Sequence, residues 1–333
     1  MYSKKILFVF IFVESIFTFS KEALCGHRKP VFELSETPLG KYRSTLMREI
    51  ELPDKKILNT PPVKNQDPLG TCTIFTATGL YEIHNPLRKV SESEFAVYAE
   101  TQIDDCNAGI NLGYTLDLSR RDGFLLEEDG FSYENVYIPY VARKNNIDYR
   151  RPGWYQDLRN LDPQIICSWY PDKKKAYNTT MRDIGVPLRL DEQSGQTPYR
   201  LGDIYHLHLV SKHALESALN HEDIKKQKGS IGVPANTDLH QIKLALAHNL
   251  PIAVAADVYD NCWKPGKKDN YFIRLPSAED ERQGSHAFML TGYYGDYFRV
   301  RNSWGDSWAE NGYAWIPGEY LKKYATEVVA VGK

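Results

Sequence analysis

The order of hydrophobic and polar residues predicts helices in the first half of the chain. Apolar side chains recur every three or four positions over 71–84, and a second helix is predicted over 91 to about 103. The second helix begins with a serine followed three residues later by a glutamate, which is the pattern of a capping box. Shorter helices are predicted over 112–118 and, far along the chain, over 238–247.

The last third of the chain changes to the period of a β-sheet. Apolar runs at 252–258 and 287–292 predict buried strands, and 294–297 is typical of a tight hairpin turn. Alternation from 298 to 302 predicts the next strand, and 313–316 predicts a further one. Helices early and antiparallel strands late predict an α+β protein in which two subdomains face each other.

Two stretches show no sustained period. Residues 21–60 are polar, contain prolines and read as an irregular lead-in to the fold. Residues 141–236 alternate prolines, lysine runs and short apolar pieces, so they do not predict a regular arrangement.

The first twenty residues carry the three parts of a secretory signal. Two lysines precede apolar runs at 6–13 and 16–19, and the small residues Thr18 and Ser20 stand before the expected cleavage point. Glu14 interrupts the apolar stretch, and an ordinary buried N-terminal helix is the alternative. We therefore predict a secreted protein, extracellular or periplasmic, in which disulfides are allowed. With 5 cysteines, one thiol would be left over.

Composition and charge exclude several classes of protein. The 333 residues carry 41 Lys+Arg and 43 Asp+Glu, a net charge of −2, which argues against nucleic-acid binding. The sequence contains no run of roughly 18 consecutive apolar residues, the length of a membrane-spanning helix. His206 and His208 lie two positions apart, but no cysteine or acidic cluster at ligand spacing accompanies them. We predict neither a metal nor a cofactor, and the sequence does not indicate an oligomeric state.

Candidate chemistry begins at Cys72, which stands at the predicted start of the first helix. A thiol there lies at the positive end of the helix dipole, beside unpaired backbone N–H groups that favour the nucleophilic thiolate. Gln66, in the same stretch, offers an amide donor that could stabilise an oxyanion together with the N–H of Cys72. The alternative is a small buried cysteine without a chemical role.

A histidine and an asparagine near the C-terminus strengthen the chemical interpretation. His286 enters one predicted strand and Asn302 leaves a later one, so pairing of those strands would bring the imidazole and the amide together. Asn302 would then orient the ring while the other ring nitrogen faces Cys72. The order along the chain is nucleophile, base and orienting amide.

These segments resemble the papain family of cysteine peptidases. The similar stretches are 62–72, 91–93, 106–109, 123–133 and 302–313. The resemblance covers roughly 50–135 and 238–330, and it implies the papain-like α+β fold of two subdomains. In that fold a helical half carries the nucleophile helix, and the other half is an antiparallel β structure.

The resemblance also implies a role for each residue of the candidate site. Cys72 is the expected nucleophile, His286 the acid and base, Asn302 the orienting group and Gln66 the oxyanion donor. The substrate class that it implies is a peptide or a protein.

Three further residues are expected to bind the substrate. The resemblance implies that Gly109 pairs with the backbone of the substrate and that Trp304 shields the contact between His286 and Asn302 from water. Ala287, which directly follows the histidine, completes the expected set.

The sequence departs from the family in spacing and in cysteines. Cys72 and His286 are separated by 214 positions (286 minus 72), against roughly 130–150 in papain-like enzymes. The additional residues are expected at about 141–236. Leu69 stands where the family often has the cysteine that would pair with Cys106, so that disulfide cannot form. The pairing of the remaining cysteines stays open among Cys25, Cys106, Cys167 and Cys262.

We therefore predict three parts of the chain. They are a signal peptide at 1–20, an irregular arm or short pro-segment at 21–50, and a papain-like catalytic domain at 51–330 with an atypical insertion at about 141–236. The predicted function is a secreted cysteine peptidase that works through a thioester acyl-enzyme. The alternatives are an acyl or amide transferase with the same triad, and an inactive peptidase-like binding protein.

Overall fold

The computed structural model describes most of the segments on which these predictions depend. The described residues are 50–102, 110–127, 132–159, 173–184, 199–202, 204–206 and 239–333. The signal peptide at 1–20, the arm up to residue 49, Gly109 and three of the cysteines (Cys25, Cys106 and Cys167) lie outside them.

Helices dominate the first half of the described chain. They are α1 (Cys72–His84), α2 (Glu92–Gln102), α3 (Leu112–Arg121), α4 (Ile138–Lys144), α5 (Trp154–Arg159) and α6 (Lys173–Ile184), with α7 (Leu239–Ala247) and α8 (Gly318–Tyr324) later in the chain. The four helices predicted from the hydrophobic pattern are confirmed. Among the described residues, we find no helix with the length and apolar character needed to cross a membrane.

Side-chain caps explain where two of these helices begin. Ser91 Oγ accepts the backbone N–H of Glu94 at 3.1 Å, as the capping-box pattern predicts. Asn111 Oδ1 accepts the N–H of Tyr114 at 3.1 Å, and this bond opens α3. Short polar side chains therefore satisfy first-turn donors of α2 and α3.

Within the described ranges, one antiparallel sheet forms the second half of the fold. Its strands are β1 (Lys55–Ile57), β2 (Ile204–His206), β3 (Ile252–Tyr259), β4 (Arg282–Tyr294), β5 (Tyr297–Arg301), β6 (Tyr313–Pro317) and β7 (Ala325–Val331). They lie in the order β2-β7-β3-β4-β5-β6, and β1 also pairs with β4. Because β4 and β5 are antiparallel neighbours, the start of β4 and the end of β5 can approach each other.

Alternate residues of β3 and β4 belong to two separate cores, as the two-residue period of a strand requires. One set packs with the helical half of the molecule and consists of Ala253, Ala255, Ala287 and Met289. The other set packs with α7 and α8 and consists of Ile252, Val254, Phe288 and Leu290. The centre of the sheet therefore separates the two halves of the fold.

A glycine lets α1 approach β4 closely. A Cβ atom at Gly79 would stand 2.7 Å from Met289 Cε and 2.8 Å from Arg301 Nη1, which is closer than such atoms normally come. Gly79 thus allows α1 to lie against the strands whose ends carry His286 and Asn302.

The structure corrects three expectations about local structure. Residues 21–60 were expected to be irregular, but Lys55–Ile57 forms β1 on the end of β4. The strand expected at 287–292 runs over Arg282–Tyr294, and α4, α5, α6, α8 and β7 were not predicted. The strand β1 has three residues, which is too short to show a period. All residues of β7 are buried, so β7 lacks the alternation of polar and apolar residues that marks a half-buried strand.

Candidate active site

The segment that precedes Cys72 runs beside the residues that follow Asn302. Gln66 donates its backbone N–H to the carbonyl of Ser303 at 2.8 Å, and Asn65 forms an isolated antiparallel bridge with Trp304. Arg301, which is buried, donates to the carbonyl of Pro62 at 2.7 Å. These bonds join two parts of the chain that lie more than two hundred residues apart, and they bring Gln66 into contact with Ser303, which directly follows Asn302.

Cys72 is the first residue of α1 and is fully buried. The preceding Thr71 makes no capping bond with the helix, since its hydroxyl shares a hydrogen bond of 2.8 Å with Tyr133 Oη. The first turn of α1 also contains no acidic residue. The positive end of the helix dipole therefore acts on the thiol without a neutralising cap, which favours the thiolate.

His286 and Asn302 meet as their strands predict. His286 Nε2 lies 2.7 Å from Asn302 Oδ1, and both residues are fully buried. The backbone N–H of Ser303 donates to the same oxygen at 2.8 Å, which identifies that atom as the acceptor of the amide. His286 Nε2 must then carry the proton of this bond, so the neutral ring has its unprotonated nitrogen at Nδ1. Within the described residues, Nδ1 is buried and has no hydrogen-bond partner.

Tryptophan rings enclose the imidazole. The ring of Trp304 stacks on that of His286 with 4.6 Å between centroids and 29° between planes. Trp263 contacts the imidazole edge-on at 5.9 Å and donates its indole N–H to Tyr320 Oη at 2.8 Å. The bond between His286 and Asn302 thus lies in a region of low polarity, where hydrogen bonds are electrostatically stronger.

Sequence reasoning missed Trp263 and Tyr320. Trp263 follows β3 in a turn of mostly polar residues, and a large apolar side chain in such a turn is the signal that could have drawn attention to it. Tyr320 lies in α8, more than thirty residues beyond His286, and it carries no local signal of a role near the site.

The side chain of Gln66 is held at both ends. Its Oε1 accepts the hydroxyl of Ser303 at 2.6 Å, and its Nε2 donates to the carbonyl of Leu69 at 3.0 Å. An amide nitrogen has two hydrogens, so the bond to Leu69 uses one and the other can serve a ligand. Gln66 is 2% exposed, and its orientation is therefore set by the protein rather than by solvent.

A group of charged side chains contacts Lys64, two positions before Gln66 in the same segment. Lys64 Nζ lies 2.7 Å from a carboxylate oxygen of Glu82 and 2.7 Å from one of Glu92, with Glu127 at 3.8 Å. Burial alone would lower the pKa of Lys64, but Glu92 and Glu82 more than offset this and raise it. Burial also raises the pKa of Glu82, against the opposing effect of Lys64.

A buried carboxylate also joins the helical half to the sheet. Glu327, in β7, accepts the side-chain amide of Asn111 and the backbone N–H of Gly113, both at 2.7 Å. Burial raises the pKa of Glu327 to about 7, although these two hydrogen bonds act in the opposite direction. Glu327 faces Ala255 across the pairing of β3 and β7, close to the junction of the two halves.

The cysteines fall into two groups. Among the described residues, Cys72 and Cys262 are both buried thiols. Burial raises the pKa of Cys262 to about 11, so this thiol is less acidic than an ordinary cysteine. Cys262 therefore lacks the environment of a nucleophile. The pairing of the other three cysteines stays a prediction.

The structure brings most of the expected site together. Gln66, His286, Asn302 and Trp304 form one connected cluster, and Cys72 begins α1 at the end of the loop that starts with Gln66. Ala287 is fully buried in the helical-half core that also contains Cys72. Gly109 lies outside the described residues, and its expected contact with substrate stays a prediction.

Comparison with known proteins yields one family. The sequence profile described as papain family cysteine protease matches residues 48–330. A cathepsin L-like protein of Caenorhabditis elegans is 36% identical over 91 residues, which are 26% of this chain and 26% of that protein. A probable cysteine protease, RD21C, of Arabidopsis thaliana is 24% identical over 259 residues, which are 76% of this chain and 40% of that protein. The chain thus spans less than half the length of either relative.

The fold agrees with this result. The crystal structure of xylellain, a cysteine protease from Xylella fastidiosa, aligns with a TM-score of 0.54 at 21% identity and covers 94% of this chain and 97% of that one. The chain belongs to the papain family of cysteine proteases, and its α+β fold of a helical half and an antiparallel sheet is the papain-like fold. The resemblance inferred from the motifs is therefore confirmed.

Proposed function

We propose that the protein is a cysteine peptidase that hydrolyses peptide bonds with Cys72, His286 and Asn302. The observation that carries this proposal is the bond of 2.7 Å between His286 Nε2 and Asn302 Oδ1, which leaves Nδ1 as the basic atom of the ring. Nδ1 is buried without a hydrogen-bond partner among the described residues, as expected of an atom reserved for a thiol proton.

The first half of the reaction forms a thioester. His286 Nδ1 takes the proton of Cys72, and the thiolate forms a C–S bond to the carbonyl carbon of the substrate while the carbonyl π electrons move to oxygen. The second N–H of Gln66 and the backbone N–H of Cys72 donate to that oxyanion. When the oxyanion collapses, the C–N bond breaks and His286 gives its proton to the leaving amine.

The second half regenerates the enzyme. A water molecule gives a proton to His286 Nδ1 and attacks the thioester carbonyl, and the same donors hold the second oxyanion. The C–S bond then breaks, the acid product leaves, and the thiolate remains beside the protonated ring. Asn302 holds the ring in place through both halves, and the stacked Trp304 keeps water from their hydrogen bond.

A covalent label tests this proposal. We expect a peptidyl epoxide to label the wild-type protein once, with loss of hydrolysis of a fluorogenic peptide amide. We expect no labelling in Cys72→Ala, whereas Cys262→Ala, which removes the other described thiol, keeps both labelling and activity. Labelling that persists in Cys72→Ala would overturn the assignment of the nucleophile.

Product analysis separates hydrolysis from acyl transfer. The acyl group of the same thioester could pass to an amine instead of water. We propose water as the acceptor, and the test is to measure product masses with and without an added amino-acid amide. Hydrolysis products that dominate under both conditions support a peptidase. Products that appear only when the amine is present would instead indicate a transferase.

Export is part of the proposal and rests on the sequence pattern of residues 1–20. Expression of the full chain in a secreting host, followed by N-terminal sequencing of the protein from the medium, tests it. A mature N-terminus at Lys21 is the expected result, and an intact Met1 on intracellular protein would contradict it.

A further inference from the structure

The loop between Gln66 and Cys72 is tied to a distant helix by an ion pair. Arg159, the last residue of α5, donates from Nε to one carboxylate oxygen of Asp67 at 2.8 Å and from Nη2 to the other oxygen. The two residues are 92 positions apart in the sequence. The side chain of Arg159 is 17% exposed and that of Asp67 is 31% exposed, so solvent screens this pair only in part.

The two-pronged geometry makes this contact more specific than a single charge pair. The guanidinium is planar and presents its donors in a fixed fork, which matches both oxygens of a carboxylate. The pair therefore restrains the direction of the Asp67 side chain as well as its distance. The hydrogen bond to Asp67 raises the pKa of Arg159, so the arginine stays charged.

The helix that presents Arg159 is itself anchored. Leu158 is 1% exposed and belongs to the core of the helical half, and Trp154 packs against the same core. The Trp154 ring also contacts the ring of Tyr149 edge-on at 6.4 Å. Arg159 is thus held by the core rather than by the loop that it contacts.

This helix lies in the stretch that lengthens the chain between Cys72 and His286. The sequence predicts the additional residues at about 141–236, and α5 falls inside this range. The ion pair is consequently a contact between that additional stretch and the loop that leads to the nucleophile.

Asp67 directly follows Gln66 in the turn. The backbone carbonyl of Gln66 is already held by hydrogen bonds, whereas the side chain of Asp67 is held by Arg159. The carbonyl of Gln66 accepts the N–H of Leu69 at 3.1 Å and the hydroxyl of Tyr133 at 3.0 Å, which hold the inner side of the turn. The Arg159 pair holds the outward-facing carboxylate of the next residue. Together these bonds restrain the turn in which Gln66 Nε2 reaches Leu69.

We propose that Arg159 is a positioning residue for oxyanion stabilisation, acting through Asp67 on the turn that presents the amide of Gln66. This inference rests on the proposed function, because it requires an oxyanion next to Gln66. Loss of the pair lets the turn move, so the amide spends less time in the geometry that the oxyanion needs. The attack of the thiolate itself does not depend on that geometry.

Two reactions of the same thiol separate these effects. Peptide amide hydrolysis passes through an oxyanion. Alkylation by iodoacetamide does not, since the thiolate forms a C–S bond to the methylene carbon and iodide leaves with the electrons of the C–I bond. A residue that positions the oxyanion donor should slow the first reaction and leave the second unchanged.

The experiment compares Arg159→Ala, Arg159→Lys and Asp67→Asn with wild type in the full-length protein. We expect Arg159→Ala and Asp67→Asn to lower kcat for a peptide amide by about tenfold each, less than the loss of an oxyanion donor itself. KM and the rate of iodoacetamide alkylation should change by less than about twofold, and the double variant should be no slower than either single one. Arg159→Lys should recover part of the loss, because an ammonium keeps the charge without the fork.

Two further variants control for general effects. Arg151→Ala removes an ion pair with Asp157 inside the same stretch and should leave both reactions at the wild-type rate. In a Gln66→Ala background, Arg159→Ala should produce no further loss of kcat, because the amide that it positions is already gone.

Four outcomes would overturn the proposal. Unchanged kcat in Arg159→Ala, or an equal fall in hydrolysis and alkylation, would mean that the pair only anchors α5. A full additional loss in the Gln66→Ala background would mean that Arg159 acts by another route. A wild-type protein whose Cys72 is alkylated but which hydrolyses no peptide would instead contradict the proposed function, and the inference with it.

Discussion

The backbone N–H of Ser303 and the imidazole Nε2 of His286 meet at one atom, the side-chain oxygen of Asn302, at 2.8 Å and 2.7 Å. Since a backbone N–H can only donate, the shared atom is an acceptor, and the protonation of the ring nitrogen facing it follows. The backbone of the next residue therefore orients the Asn302 amide, and the amide in turn orients the ring of His286.

Removal of the orienting amide should disable catalysis more than it disturbs the fold. We expect Asn302→Ala to lower kcat/KM on the order of 10³-fold, because the ring loses its preferred tautomer and direction. The measurement is hydrolysis of a peptide amide, with Asn261→Ala in an exposed turn as the control. A loss of tenfold or less would show that the orientation of His286 does not depend on this bond.

The stacked tryptophan should strengthen the bond between His286 and Asn302 by excluding water. We expect Trp304→Ala to reduce kcat/KM by about tenfold, since a more polar environment weakens the hydrogen bond. Trp304→Phe keeps an aromatic ring over the imidazole and should retain most of the activity. Equal activity of the alanine and phenylalanine variants would argue that the ring over His286 is dispensable.

The buried Glu327 should make stability depend on pH. Its pKa rises from 4.5 to about 7 on folding, so the folded protein binds the proton more tightly than the unfolded chain. Between these two values stability falls as the pH rises, and the full effect is about 3 kcal/mol. The side chain introduced by Glu327→Gln does not titrate, so this variant lacks the pH-dependent contribution of Glu327. In urea unfolding from pH 4.5 to 7.5, we expect the stability of wild type relative to this variant to fall across the interval.

An exposed acid provides the control for this measurement. Glu319→Gln, in α8, changes a side chain that is 56% exposed, and it should change the pH profile by less than about 0.5 kcal/mol. A constant difference between wild type and Glu327→Gln from pH 4.5 to 7.5 would show that Glu327 does not titrate between these limits.

Lys64, which pairs with two buried carboxylates, should be essential for stability at neutral pH. We expect Lys64→Met to destabilise the protein by about 3 kcal/mol at pH 7, because Glu82 and Glu92 would remain buried without their cation. Burial raises the pKa of Glu82, so protonation of this carboxylate should restore part of the loss at pH 4.5. The measurement is urea unfolding at both pH values. The control is Lys243→Met, because Lys243 pairs with an exposed carboxylate, that of Asp296. An equal loss at both values would contradict a charge effect.

Local patterns predicted the parts of this protein whose causes are local. The three- and four-residue spacing of apolar side chains in α1 and the cap of α2 depend on residues within a few positions of one another. The hairpin between β4 and β5 does so as well. The papain-like motifs around Cys72 and Asn302 also lie in short stretches, and they carried the family assignment.

The remaining features depend on contacts across the chain. Trp263 packs on His286, and Glu327 accepts a hydrogen bond from the N–H of Gly113. Arg159 pairs with Asp67. The two residues of each pair lie far apart in the sequence. A single sequence has no local signal for such pairs. A charged or aromatic residue has the same sequence neighbours whether its side chain contacts water or a distant residue.

The sequence by itself determined the family, the order of the chemical groups and the helices and strands that carry most of them. Only the tertiary structure decided which ring nitrogen of His286 faces Asn302, how the amide of Gln66 is held and what restrains the loop between Gln66 and Cys72. The physical reason is that side-chain identity follows from sequence, whereas hydrogen-bond direction and burial follow from the partners that folding brings together.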